Sequence, residues 1–160
     1  MGTRAAGRDR RRRAEEHVMG VEENKAVVER YFDALARRDW DMMTSLLTDD
    51  VHYTDVGSPG AGGTGPDGVM RRLRLGIEPL EGYEHLPGTN VVAEGDLVMT
   101  EHTERWIFHT GEVIDHSFVS VTQLRDGKIC RWHDYSNLAN IIDNAPQWWF
   151  EHIMQGAADV

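Results

Sequence analysis

Two long neighbouring segments, residues 97–109 and 112–125, alternate between polar and bulky apolar side chains, and only the turn His109-Thr110-Gly111 separates them. Period-two alternation over this length marks β-strands with one face buried. A third strand, 128–135, follows directly after Asp126-Gly127, a two-residue hairpin signal, and a fourth, 89–94, precedes Gly95-Asp96. Much of the second half of the chain therefore reads as an antiparallel meander. Parity decides which residues share a face. On 97–109 one face carries Val98, Thr100, His102, Glu104, Trp106 and Phe108, and on 112–125 one face carries Ile114, His116, Phe118, Ser120 and Thr122. A shorter strand at 51–56 groups Val51, Tyr53 and Asp55. Bulky apolar groups mixed with a few acids, imidazoles and a phenol are the lining of a small-molecule pocket.

The first half is helical. Val27, Val28, Tyr31, Phe32 and Leu35 recur at helical spacing and predict an amphipathic helix over 21–37. Asp39 is placed to N-cap a short helix burying Met43, Leu46 and Leu47, and a third helix is expected over 67–76 after a glycine-rich loop. Helical segments at 137–143 and 147–155 close the chain, and Trp148-Trp149-Phe150 is expected to pack over the open end of the fold or against a second subunit. Helices first and a meander afterwards imply segregated α+β architecture in one domain, residues 21–160. Its strongly curved sheet, wrapped around the N-terminal helices, leaves one concave face.

Charge narrows the partners. Residues 1–20 hold six arginines against Asp9, Glu15 and Glu16, a net +3, so the rest of a chain of net −10 carries −13. This leader is expected to be a disordered basic segment, or an over-long start upstream of Met19. The acidic body disfavours nucleic acid. No apolar run is long enough for a bilayer span, and the single Cys130 suits a reducing cytoplasm. No Cys-x-x-Cys, His-Glu-x-x-His or nucleotide-binding glycine motif occurs, and parity sends His109 to the face opposite His102. Neither a metal nor a cofactor is expected.

Three short motifs add a resemblance. Thr100-Glu101-His102-Thr103-Glu104, then Asp126-Gly127-Lys128-Ile129 with Trp132-His133-Asp134-Tyr135, and Tyr53-Thr54-Asp55 resemble, in order and approximate spacing, motifs of limonene-1,2-epoxide hydrolases. That family lies within the nuclear transport factor 2-like, SnoaL-like superfamily of cone-shaped, cystatin-like α+β domains. The resemblance implies hydrolysis of a small apolar epoxide by activated water, without a covalent intermediate or cofactor. It makes Asp134 the base, helped by Tyr53 and Asp55, and Glu104 the acid. His102 stands where the family has an arginine bridging the two carboxylates, Glu104 replaces an aspartate and Asp55 an asparagine. Trp106, His116, Phe118 and Trp132 would line the substrate site. The scaffold serves other chemistry too: a SnoaL-like polyketide cyclase, a ketosteroid isomerase-like isomerase, a dehydratase or a non-catalytic binding module stay open as alternatives. The resemblance also implies a homodimer through the convex sheet face, where Thr103, Arg105 and Ile107 lie.

Overall fold

The computed structural model describes residues 3–58, 60 and 62–158, with side chains from Gly20 to Gly156 apart from positions 59 and 61. Helix α1 (Thr3–Ala36) is followed by α2 (Trp40–Ser45), β1 (Leu47–Asp55), β2 (Gly62–Thr64), α3 (Gly65–Ile77), β3 (Gly82–His85), β4 (Asn90–Glu94), β5 (Leu97–Ile107), β6 (Val113–Arg125), β7 (Lys128–Ser136), α4 (Leu138–Asn144) and α5 (Gln147–Ala158). Helix α1 starts well before residue 21, where the sequence reading began it. Alanine, arginine and glutamate in the basic leader are strong helix formers, and they extend the backbone spiral upstream. The side chains of residues 1–19 lie outside the described residues, and so does any role of the leader. The packed part of α1 includes Asn24, whose amide donates to the carbonyl of Gly95 at 3.0 Å.

Among the described residues, seven strands form one curved sheet in the order β2-β1-β7-β6-β5-β3, with β4 also paired to β5. The β1–β7 pair is parallel and the other ladders are antiparallel, so the sheet is mixed. Asp126 and Gly127 both adopt positive φ, 53° and 75°, which matches the hairpin turn expected there. Asp39 caps α2, accepting from the backbone of Met42 at 3.1 Å. Two short strands, β2 and β3, were not foreseen, since Gly-Gly-Thr and Gly-Tyr-Glu-His carry no apolar alternation. No described helix is long and apolar enough to cross a membrane.

Burial along β5 and β6 alternates strictly, with the even-numbered residues inside. The inner face packs on α1 through Val27, Val28, Tyr31, Phe32 and Leu35, all buried. Strand β7 breaks phase. Gln123 pairs with Arg131 but Leu124 pairs with Ile129, so β7 accommodates one extra residue, Cys130. A bulge of this kind reverses parity. Ile129 on one side of it and Trp132 and Asp134 on the other all face inward as a result.

Close packing at the sheet edge has a measurable consequence. A Cβ on Gly63 would stand 2.5 Å from the backbone of Gly68, so β2 and the first turn of α3 can touch only through glycine. Gly63→Ala should destabilise the protein by at least about 2 kcal/mol in denaturant titration. Gly20→Ala, with nothing within 4 Å of the added methyl, should be neutral or stabilise by up to about 1 kcal/mol.

Candidate active site

The parallel β1–β7 ladder aligns Tyr53 with Trp132 and Asp55 with Asp134, which puts four polar-tipped side chains together on the inner face. Asp134 is 4% exposed, yet both of its oxygens accept hydrogen bonds. Its Oδ1 accepts from the Ser120 hydroxyl at 2.5 Å and from the Trp132 indole at 2.6 Å, and its Oδ2 accepts from the Tyr53 hydroxyl at 3.2 Å. Every one of these donors is neutral. Burial is the largest influence and pushes the Asp134 carboxyl up to about 7. The Ser120 and Trp132 hydrogen bonds and the positive charge of His102 oppose this, while the negative charge of Glu104 reinforces it. Neutral hydroxyl and indole dipoles only partly offset the loss of water.

Glu104 is buried on the same face in a different setting. Its Oε2 accepts from the Trp106 indole at 2.9 Å, and its Oε1 faces two imidazoles, His102 Nε2 and His85 Nε2, each at 3.4 Å. Burial opposes ionisation here as well, but the approach and charge of His102 and His85 outweigh it and hold the carboxyl well below the usual range. The expected division of labour, with Glu104 as the group that keeps its proton, is thereby reversed electrostatically. The reason is local: Glu104 faces two imidazoles, and Asp134 faces hydroxyls and an indole.

His102 does not bridge the two carboxylates. Among the described residues it contacts Glu104 on one side and the Thr100 hydroxyl, at 3.5 Å, on the other, and Asp134 takes its bonds elsewhere. An imidazole is shorter than the guanidinium it replaces and has no fork. His102 opens instead into a groove beside α1, stacked on Phe118 and tilted against Phe32. His116, expected as a lining residue, is sealed behind Trp106 and Phe118, with Nδ1 3.4 Å from the Asn140 amide and Nε2 without a partner. Burial holds its pKa below the usual histidine value.

Tyr53, Asp55, Glu104, Trp106, Phe118, Trp132 and Asp134 all line one cavity of about 350 Å³. Leu35, Leu73, Ile77, Leu138, Ile141 and Trp149 supply its apolar walls. Trp149 closes the open end, packing on Trp106 and Phe108 and donating to the carbonyl of Gly76 at 3.0 Å. Asp55 keeps one oxygen 3.8 Å from the Arg72 guanidinium, while its buried Oδ1 has no hydrogen-bond partner among the described residues. Sequence reasoning did not single out Arg72, His85 or the α4 residues. Each is brought in from another element by tertiary packing, and no local motif announces it.

Comparison with known proteins bears on the family and the fold. The SnoaL-like domain family matches residues 28–132, from the buried half of α1 into β7. The chain belongs to the SnoaL-like domain family. This SnoaL-like protein is 32% identical over 111 residues, 68% of its own length and 69% of the other's, to a Mycobacterium tuberculosis protein named epoxide hydrolase EphG. Its fold matches a limonene-epoxide-hydrolase-like enzyme from M. tuberculosis with TM-score 0.64 and 24% identity, over 86% of this chain and 94% of that one. A candidate polyketide cyclase from Xanthomonas campestris superposes with TM-score 0.70 at 24% identity, covering 79% and 99% respectively.

A buried acid with a raised pKa leaves a signature in stability. The folded state holds the Asp134 proton from the ordinary carboxylate range up to about pH 7, whereas the unfolded chain has released it. Asp134 thus stabilises fully at low pH, and that contribution is lost as pH rises toward 7, by about 1 kcal/mol per pH unit. Titration of His116, His133 and Glu104 overlaps this window or adjoins it, so the comparison is wild type against Asp134→Asn. Between pH 5 and pH 7.5, wild-type stability should fall relative to the variant; a constant difference would mean that the acid is not perturbed.

Proposed function

We propose that this protein opens an epoxide on a small, mainly apolar substrate by direct attack of water. The observation that carries this is Asp134: a buried carboxylate titrating near neutrality in an apolar cavity, beside the Tyr53 hydroxyl and the unpartnered oxygen of Asp55. A general base is most effective when its pKa lies close to the working pH. The relative named epoxide hydrolase EphG supports the same reading.

In this scheme a water molecule sits between Tyr53, Asp55 and Asp134. Asp134 takes one proton as the water oxygen bonds to an epoxide carbon, and the C–O bond of the ring breaks. The departing oxygen receives its proton through Glu104, which lines the cavity, and His102 and His85 on its far side resupply it. The product is a diol, and the reaction as written uses no cofactor. Trp106, Phe118 and Trp132 hold the hydrocarbon part. A second reading, proton transfer beside a carbonyl in a cyclase or isomerase, draws on one feature: the ionised Glu104 leaves Asp134 as the natural shuttle.

Asp134→Asn should lower kcat by about 10²-fold or more with the fold intact, because the amide keeps the shape but accepts no proton. Since the base works ionised, kcat/KM should fall as pH drops through about 7. If small cyclic epoxides are left untouched while an enolisable ketone is turned over through Asp134, the second reading replaces the first.

Assembly and location belong to the same proposal. Leu97, Met99, Val113 and Tyr135 leave apolar surface exposed on the convex face, while Arg105 there pairs with Asp115 through two bonds of 2.7 and 2.8 Å. This supports a homodimer joined through that face, and the single Cys130 fits a cytoplasmic location. Light scattering should give twice the chain mass at micromolar concentration, and a monomer there would exclude the dimer.

A further inference from the structure

Where the groove beside α1 backs onto the cavity, His85 and His102 of the groove meet Glu104 of the cavity in a cluster that the proposed reaction uses only from one side. His85 and Glu104 are cross-strand partners on β3 and β5, and His102 lies two residues before Glu104 on the same face. One donor atom from each of the three lies within 4.8 Å of the other two. Motif scanning does not find such a set, because one ligand comes from the neighbouring strand and not from a local spacing.

Two distances define what the cluster is suited to. Each imidazole Nε2 stands 3.4 Å from the same oxygen, Glu104 Oε1. A charged hydrogen bond between imidazolium and carboxylate would close to about 2.7–2.9 Å. By contrast, an ion held tetrahedrally about 2.1 Å from each ligand spaces the ligand atoms about 3.4 Å apart. The surroundings orient the donors toward a common centre. Trp106 occupies the other carboxylate oxygen at 2.9 Å, leaving Oε1 to the two imidazoles, and the Thr100 hydroxyl lies 3.5 Å from the Nδ1 of His102. Outer contacts of this type fix the orientation and tautomer of metal ligands. The groove has a volume of about 470 Å³, and Glu22, Glu29 and Asp33 line it against the single cation Lys25, so its mouth favours cations.

We propose that His85, His102 and Glu104 bind a divalent first-row transition ion, zinc in the first instance. Two imidazoles and one carboxylate match zinc in ligand type, and an open fourth position remains for water. Binding replaces the Tyr83 hydroxyl, which now stands 3.2 Å from the Nε2 of His85. An ion here also fixes Glu104 as an anion and displaces the proton that the scheme above draws from its histidines. On that reading, occupancy and turnover exclude one another.

The test uses the full chain, treated with chelator and then titrated without substrate. Zinc should bind at one ion per chain in calorimetry and raise the thermal midpoint. Cobalt(II) should give the intense visible bands of four-coordinate geometry. His85→Gln and Glu104→Gln should each weaken zinc binding by more than about 100-fold, beyond what loss of an outer-shell partner costs. Folded wild-type protein that takes up no zinc and shows no such cobalt spectrum overturns the proposal, whether or not the variants fold. Uptake that survives unchanged in both variants also overturns it, by locating the ion elsewhere. Neither measurement involves catalysis, so a protein that hydrolyses epoxides yet ignores zinc refutes the metal site alone.

Discussion

The parallel pairing of β1 against β7 is the contact on which the inner chemistry of this protein depends. It is the one parallel ladder of an otherwise antiparallel sheet, and it joins strands from opposite ends of the chain. Through it Tyr53 reaches Asp134, and Asp55 and Asp134 come to lie side by side. Burying a carboxylate this deeply is unfavourable unless donors replace its water. Serine and tryptophan from β6 and β7, with tyrosine from β1, supply those donors, and Tyr31 and Phe32 of α1 cover Trp132 edge-on.

The two buried acids show how one sheet face produces two opposite environments. Glu104 is surrounded by groups that can be cations and Asp134 by groups that cannot. Their proton affinities separate for that reason, although both are almost fully buried. Separation of this kind assigns acid and base roles by surroundings and not by residue type. It also explains why substituting histidine for arginine is not neutral. Histidine serves one carboxylate closely and leaves the other to neutral partners.

Much of this was legible in the residues. Alternation along 97–125 is a strong signal, since a one-residue slip would turn every apolar group to solvent, and β5 and β6 follow it closely. On β5 and β6 the inward residues Glu104, Trp106 and Phe118 came directly from that parity; Tyr53 came from the short strand at 51–56 and Asp134 from the motif resemblance. Parity could not say how deep a residue sits or which neighbour it meets. His116 and His102 have the expected facing but not the expected company: one is sealed under aromatic rings, the other turned to a separate groove. His85 lay hidden in a four-residue strand without pattern, and Arg72 on a helix whose docking no period reports. The reversed proton affinities depend on distances between strands, which spacing along the chain does not contain.

The bulge at Cys130 carries a lesson about how such a pocket can change over evolutionary time. The thiol is half-buried and donates to the carbonyl of Gln123 at 3.3 Å, a modest contact. What matters at this position is the count of residues, since one extra lets Ile129 and Trp132, three positions apart, share the inner face. Losing the codon for Cys130 would restore plain alternation and keep Trp132 and Asp134 inward, because Gln123 already pairs with Arg131 and Leu124 with Ile129. A codon lost or gained between Trp132 and Asp134 has no such reserve and would turn one of the two to the outer surface. The bulge is thus the place in β7 where the gene can change length and spare the cavity.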